Sequence, residues 1–284
     1  MAGSEGRRTL EGMKWLFLAL FALGCGAADR DVVIASDQSP TSLATDGTHV
    51  VWTNRTGEIM RVSVTGGEPE RVAMADEPAG VTLASGDVLF TAKDGVWKND
   101  RLVAPARGAW SIAADASHFF WTTNTTAGPV MTCPLDDACI PAKLAGGDAS
   151  FAIVVDEANV YWSDWNAIWT CPLEGCIGAA EPLAAVAGHV SLAVGATRIF
   201  WASNDVILSC DKHACAEPTL VAAHQTGATG LAADVEHVYW LTTSSVVRDG
   251  ETLAPLDSPG VALALDGKNV WVATSDRVVK IAAN

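Results

Sequence analysis

The chain has 284 residues, 49% of them hydrophobic, which is enough for one large domain with a substantial core. Its 18 Lys and Arg stand against 33 Asp and Glu, a net charge of −15 with the basic residues scattered; this argues against a nucleic acid or an anionic membrane surface as partner. No apolar run reaches the length needed to span a bilayer as a helix.

Residues 1–24 read as a targeting segment rather than as part of a fold. Arg7, Arg8 and Lys14 precede an apolar run from Trp15 to Leu23, and Met13 offers an alternative start to Met1. The run ends Ala22-Leu23-Gly24-Cys25, which resembles the lipobox of bacterial lipoproteins. That resemblance implies cleavage before Cys25, a lipid on Cys25, and membrane attachment through this anchor alone. Gly26 stands where Asp would signal inner-membrane retention, so the expected location is the cell envelope, at the outer membrane. Arg7-Arg8-Thr9-Leu10 weakly resembles a twin-arginine signal, but the disulfides argued below favour export of an unfolded chain. Residues 25–30 form the lipidated Cys and a short tether; five extended residues reach roughly 17 Å, which holds the domain at residues 31–284 against the membrane.

From Asp31 onward the chain is a series of short runs rich in β-branched and aromatic residues, bounded by Asp, Asn, Gly and Pro. These are strands of an antiparallel meander. Asp31–Ala35 is the first. A recurring anchor follows: Asp, three residues, two large apolar residues, then Trp. It occurs at Asp46–Trp52, Asp115–Trp121, Asp156–Trp162 and Asp234–Trp240, with Gly195 in place of Asp before Trp201. A version read as shortened ends at Phe90, and the last ends at Val272 with Trp271 one place early. The seven anchors lie 31 to 41 residues apart, the period of a four-stranded propeller blade. Tight turns at Asn99-Asp100 and Asp249-Gly250 account for the short spacings.

After Val272 only Arg277–Ile281 remains, so the seventh blade lacks an outer strand. Asp31–Ala35 is free to supply it, and doing so leaves no blade unpaired. The expected fold is therefore an all-β, seven-bladed β-propeller closed by its own N-terminal strand. Innermost strands pair a large apolar residue (Leu43, Leu83, Ile112, Ile153) with a small neighbour, as a wedge narrowing to an axis requires. The repeated Trp and Tyr residues are read as inter-blade core.

Of seven cysteines, Cys25 carries the lipid and six form local pairs, Cys133/Cys139, Cys171/Cys176 and Cys210/Cys215. Each pair flanks the third-to-fourth strand turn of three successive blades. Facing hairpin positions suit disulfides in an exported protein. Zinc is the competing reading, but outer hairpins of different blades diverge, and His213 raises any one site to three ligands at most.

The chemistry scan returns no phosphate loop, no zinc-protease or serine-hydrolase motif and no EF-hand, so no catalytic residue, cofactor or metal is expected. His49, His118 and His237 share one repeat position but sit in non-adjacent blades. The repeated Asp residues explain themselves as turn formers, each bonding its own backbone. Strand alternation puts second-to-third loops and inter-blade connectors on one face. That face gathers Asn54-Arg55, Asn124-Thr125, Asp164-Trp165-Asn166, Asn204-Asp205 and the connector residues His189 and His224, and Trp165, an aromatic in a loop, is the expected contact residue.

Val160-Tyr161-Trp162-Ser163-Asp164, with Ile168 and Leu173-Glu174-Gly175, resembles the YWTD repeat of lipoprotein-receptor propellers. Trp52-Thr53-Asn54 with Gly57 to Val62 is similar to that repeat and to NHL and streptogramin-lyase-type propellers. The whole is similar to YWTD-like propeller lipoproteins of bacterial envelopes, although receptor propellers have six blades and Phe90 and Val272 depart from the motif. The resemblance specifies a blade; no catalytic residue carries over. The resulting expectation is a non-enzymatic binding or scaffold module for an envelope protein or glycan. The alternative is a lyase or hydrolase working in the central depression with His189 or His224 as base, which requires a His and a carboxylate within bonding reach there.

Overall fold

A computed structural model describes residues 31–283 except 127, 137–138, 147–149, 177–179 and 189. The targeting segment, Cys25, the tether and His189 lie outside the described residues. Twenty-eight strands build seven four-stranded antiparallel sheets, a seven-bladed β-propeller. Blade one runs outward from Pro40–Thr45 to Glu70–Met74, and blade two from Val81–Ala84 to Arg101–Pro105. Blade three runs from Ala109–Ala114 to Ala142–Ala145, and blade four from Ile153–Val155 to Glu181–Ala185. Blade five runs from Ser191–Val194 to Thr219–Ala222, and blade six from Thr229–Ala233 to Glu251–Pro255.

Blade seven contributes Gly260–Leu265, Asn269–Thr274 and Arg277–Ala282, and its fourth strand is Asp31–Ser36. Val32 faces Lys280, Val33 faces Val279 and Ala35 faces Val278 across that seam. The two ends of the domain thus share one sheet. This removes the open edge that an unclosed array would present to other chains.

Seven apolar clusters hold the ring, one in each seam between blades. Side chains on a strand alternate between faces. The anchor Trp therefore packs toward the preceding blade, and the aromatic or aliphatic residue before it packs toward the following one. Trp162 meets Phe120 in the seam of blades three and four, while Tyr161 meets Trp201 in the next seam. Trp271, one place early, faces forward and joins Trp52 between blades seven and one.

A second thread stitches the first four blades. The residue after the anchor is Thr53, Thr91, Thr122 or Ser163, fully buried, and its hydroxyl bonds a carbonyl of the next blade. The partners are Ala79, Trp110, Phe151 and Val190, at 3.5, 2.6, 3.1 and 3.4 Å. Blades five to seven carry Ala202, Leu241 and Ala273 there, which have no hydroxyl to make this bond.

The Asp at the start of each anchor closes the first turn, accepting backbone N–H bonds two and three residues ahead: Thr48 and His49 for Asp46, Ser117 and His118 for Asp115, Glu236 and His237 for Asp234. The second blade corrects the sequence reading. Its turn is full length, with Ala84 in the place of Asp, so Val81 and not Leu83 faces the anchor Phe90, and Leu83 pairs with Val88. Gly80 is then the small residue of this blade. A Cβ on it would lie 2.8 Å from the Trp110 carbonyl oxygen, which makes glycine necessary where blades two and three approach.

Candidate functional site on the loop face

Backbone bonds sort the loops onto two ends of the ring. On one end each first-to-second turn is tied to a third-to-fourth turn: Val64 N–H donates to Thr48, Leu135 to Ser117, Leu173 to Ala158 and Lys212 to Thr197. The three cysteine pairs lie at this end. Cys133–Cys139, Cys171–Cys176 and Cys210–Cys215 are disulfide-bonded, with Cα separations of 5.4, 5.5 and 5.3 Å. They fit an oxidising, extracytoplasmic compartment.

The pairing is the expected one, each bond spanning the third-to-fourth strand turn, and the two sulfurs of a pair differ in their setting. Cys133, Cys171 and Cys210 are buried in the third strands of their blades. Cys139, Cys176 and Cys215 are only partly buried and lie in the turn itself, ahead of fourth strands that begin at Ala142, Glu181 and Thr219. The reason is length: a separation of five or six residues is used up by the turn, so the chain meets the first sulfur before strand pairing resumes. Each bond therefore closes a turn and sets the partly buried sulfur of Cys139, Cys176 or Cys215 against a seam cluster.

At the same end Lys212 reaches across a seam to Asp156 at 2.8 Å, both side chains largely buried. Burial pushes the Asp156 carboxyl up, but the Lys212 bond and the Ala158 and Asn159 N–H groups outweigh that and hold it below its ordinary value.

On the other end, second-to-third loops are tied to inter-blade connectors. Asn124 N–H donates to Gly108, Val186 to Asn166, Gly188 to Trp165 and Gln225 to Asp205. The predicted residues that the structure describes lie at this end, with different fates. Trp165 is 52% exposed and meets Phe151 edge-on at 4.7 Å. Asp164 is 5% exposed and committed locally: its carboxylate accepts the N–H groups of Asn166 and Ala167 and the indole N–H of Trp169 at 2.7, 2.8 and 2.7 Å. Asp205 and His224 are exposed in one corner of blade five, brought together by the Gln225–Asp205 bond. They stand apart from the Trp165 loop of blade four.

A concavity of about 740 Å³ on this end spans blades one to three; of the residues expected on this face it takes in Arg55 and Asn124, and none of those from blades four and five. Its walls come from equivalent loop positions, three residues beyond the anchors: Arg55, Lys93 and Asn124. Trp165 holds that same position in blade four. The inner wall is Trp110, 43% exposed, at the mouth of the third innermost strand where the strand bulges. Phe151 is its counterpart in blade four and is only 6% exposed. Trp165 helps to cover Phe151. In blade three the covering position is Asn124, so the Trp110 ring stays open to solvent.

Trp110 is held from behind. Its carbonyl accepts the Thr91 hydroxyl at 2.6 Å, and the same hydroxyl accepts the Gly80 N–H at 2.8 Å. Lys93 is paired with Asp76 at 3.1 Å and Glu77 at 2.8 Å, whereas the Arg55 guanidinium has no bond to another side chain among the described residues. Sequence reasoning missed Trp110 because it sits in a strand; aligning the residue two before each innermost apolar residue would have exposed it as an aromatic without a lid.

A second cavity, about 560 Å³, runs along the axis and is lined by aliphatic and hydroxyl residues such as Ile112, Ile153, Ser191 and Leu231. Among its described lining residues none is a His or a carboxylate, and neither Asp205 nor His224 reaches it. Among the described residues no group of three or more His, Cys, Asp and Glu converges as metal ligands would.

No protein-family model matches the chain, and no curated protein matches it in sequence. Solved structures do match in fold. A chain of a mitotic checkpoint complex is similar at TM-score 0.68 and 11% identity, covering 89% of this chain and 94% of that one. The computationally designed Ika8 protein is similar at 0.60 and 17%, covering 85% and 83%. BamB from Moraxella catarrhalis is similar at 0.58 and 12%, covering 85% and 82%. At such identities the likeness extends to the propeller fold alone.

Proposed function

We propose that this chain is a lipid-anchored envelope propeller that works as a non-enzymatic binding module for a protein or glycan, its loop face being the recognition surface. The observation that carries this reading is the cleft of blades one to three, with an uncovered Trp on a rigid backbone flanked by side chains from three loops. Half-exposed aromatics on fixed supports are what binding surfaces use as anchors. The YWTD-like motif and the lipobox resemblance support the envelope setting, and the cysteine pairs fit it.

The test is capture of envelope components by the full-length chain, solubilised in mild detergent, and by its Trp110→Ala and Trp165→Ala variants. A partner retained by the parent and lost with either variant supports the reading. Capture unaffected by both variants overturns it. The anchor is tested separately: Cys25→Ser shifts the protein from the membrane to the soluble fraction, and an unchanged membrane fraction contradicts lipidation.

A further inference from the structure

We propose that the cleft of blades one to three is a saccharide subsite selective for an acidic glycan, with Trp110 as stacking platform and Arg55 as carboxylate clamp. This rests on the reading of the loop face as a recognition surface and gives it a ligand class.

The first line of argument is comparison between repeats. An aromatic at the strand mouth is apolar area that a propeller normally covers, as Trp165 does for Phe151 in blade four. In blade three the same pair of positions is Trp110 and Asn124, an open indole beside an amide. The backbone that carries the open ring is held from the adjoining blade by Thr91. A flat, open indole with hydrogen-bonding groups around it matches a pyranose, whose polarised C–H face packs on the electron-rich ring while its hydroxyls bond outward. The Asn124 amide and the Ser42 and Ser111 hydroxyls supply those bonds. A protein partner needs deep apolar pockets for its anchor side chains. Beyond Trp110 the apolar lining is only Pro78, Ala79 and Ala109, which are small and shallow.

The second line is charge. The protein carries a net charge of −15, yet Arg55 stands in the cleft with no ion pair among the described residues, while the neighbouring Lys93 is held by two carboxylates, Asp76 and Glu77, of which Glu77 also lines the cleft. Guanidinium binds carboxylate through two parallel, charge-assisted bonds, a geometry Lys cannot match. Screening limits the repulsion from distant acids to about 8 Å at physiological salt, and the nearby acids Asp76 and Glu77 are engaged by Lys93, which leaves Arg55 as the cation open to a ligand carboxylate.

The test is calorimetric titration of the full-length chain with trigalacturonate, maltotriose and a triglutamate peptide. The expected result is binding of trigalacturonate at least about tenfold tighter than maltotriose. Trp110→Ala and Arg55→Gln each weaken it about tenfold or more, a change of about 1.4 kcal/mol, and Thr65→Val, in an exposed turn at the opposite end of the ring, leaves it unchanged. Arg55→Lys recovers only part of the loss, which separates a bidentate clamp from simple attraction. Absence of trigalacturonate binding, equal binding of maltotriose, or binding indifferent to both cleft variants overturns the proposal. If triglutamate binds there and trigalacturonate does not, the glycan class falls while the loop-face reading stands. If no probe binds and envelope capture is also indifferent to Trp110→Ala and Trp165→Ala, both fall.

Discussion

Thr91→Val removes one hydroxyl from a side chain that has no exposed surface and keeps its volume. That oxygen accepts the Gly80 N–H at 2.8 Å and donates to the Trp110 carbonyl at 2.6 Å, so a single atom joins the second blade to the third. A buried hydrogen bond contributes about 1 kcal/mol net, and a partner left unpaired costs about 1–3 kcal/mol. The Gly80 N–H has no other acceptor among the described residues, while the carbonyl of Trp110 can recover some water at the cleft mouth. The expected loss is therefore about 2–3 kcal/mol, equivalent to a fall in melting temperature of roughly 4–6 °C for a domain of this size. Urea unfolding followed by tryptophan fluorescence and calorimetry measures it, with the denaturant slope expected to stay constant. Thr65→Val, at the opposite end of the ring, serves as control and shifts stability by less than about 0.5 kcal/mol. If Thr91→Val costs no more than that control, the hydroxyl stitch does not hold the seam.

Gly80→Ala drives a methyl to within 2.8 Å of the Trp110 oxygen and 3.1 Å of the Ile112 nitrogen, so backbone must move. The expected cost is about 1–3 kcal/mol by thermal unfolding, with any cleft ligand weakened in step. Acid lowers stability in a defined window. The Arg277 guanidinium, then the Ser258 hydroxyl, pull the Asp276 carboxyl down to about 2, from 3.8. A depressed carboxyl contributes stability that is complete above its unfolded value and lost as pH falls through its folded one. The midpoint should hold above pH 4 and drop between about 4 and 2, and Asp276→Asn should flatten part of that drop. The paired double variant Cys171→Ser/Cys176→Ser opens a loop of separation 5, for which chain entropy predicts a loss of roughly 2 kcal/mol without unfolding at room temperature, read by calorimetry.

The fold was legible because a propeller repeats its physics. Asp46, Asp115, Asp156, Asp234 and Asp266 mark turns that need a side-chain acceptor, and the Trp that follows must fill a seam, so both recur at a fixed interval. Counting anchors gave seven blades, and the surplus strand at Asp31 together with the deficit after Val272 gave the closure. Where a repeat lost its marker the register slipped: Ala84 replaces Asp, and the innermost strand of the second blade was placed two residues late. The cysteines show a finer limit. Their spacing named the partners and set the turn between them, but which sulfur of each pair is buried, that of Cys133, Cys171 and Cys210, came only with the register of the third strands.

The candidate site was legible only in part, for a physical reason. Exposure of an aromatic depends on what the neighbouring loop puts over it, and that loop is distant in sequence. Trp165 announced itself by sitting in a loop. Trp110 looked like strand interior until the blade-four pair of Phe151 and Trp165 could be compared with Trp110 and Asn124. Asp164 shows the converse: an acid in a loop, with both oxygens consumed by Asn166, Ala167 and Trp169.

The direct measurement is of the chain lacking residues 31–36, set beside the intact protein in sedimentation velocity and thermal unfolding. Removing that strand exposes the edge of Arg277–Ala282, so the account predicts a lower, broader transition and self-association through the open edge. A truncated protein that stays monomeric and melts with the intact one would mean the ring does not depend on the join between its ends.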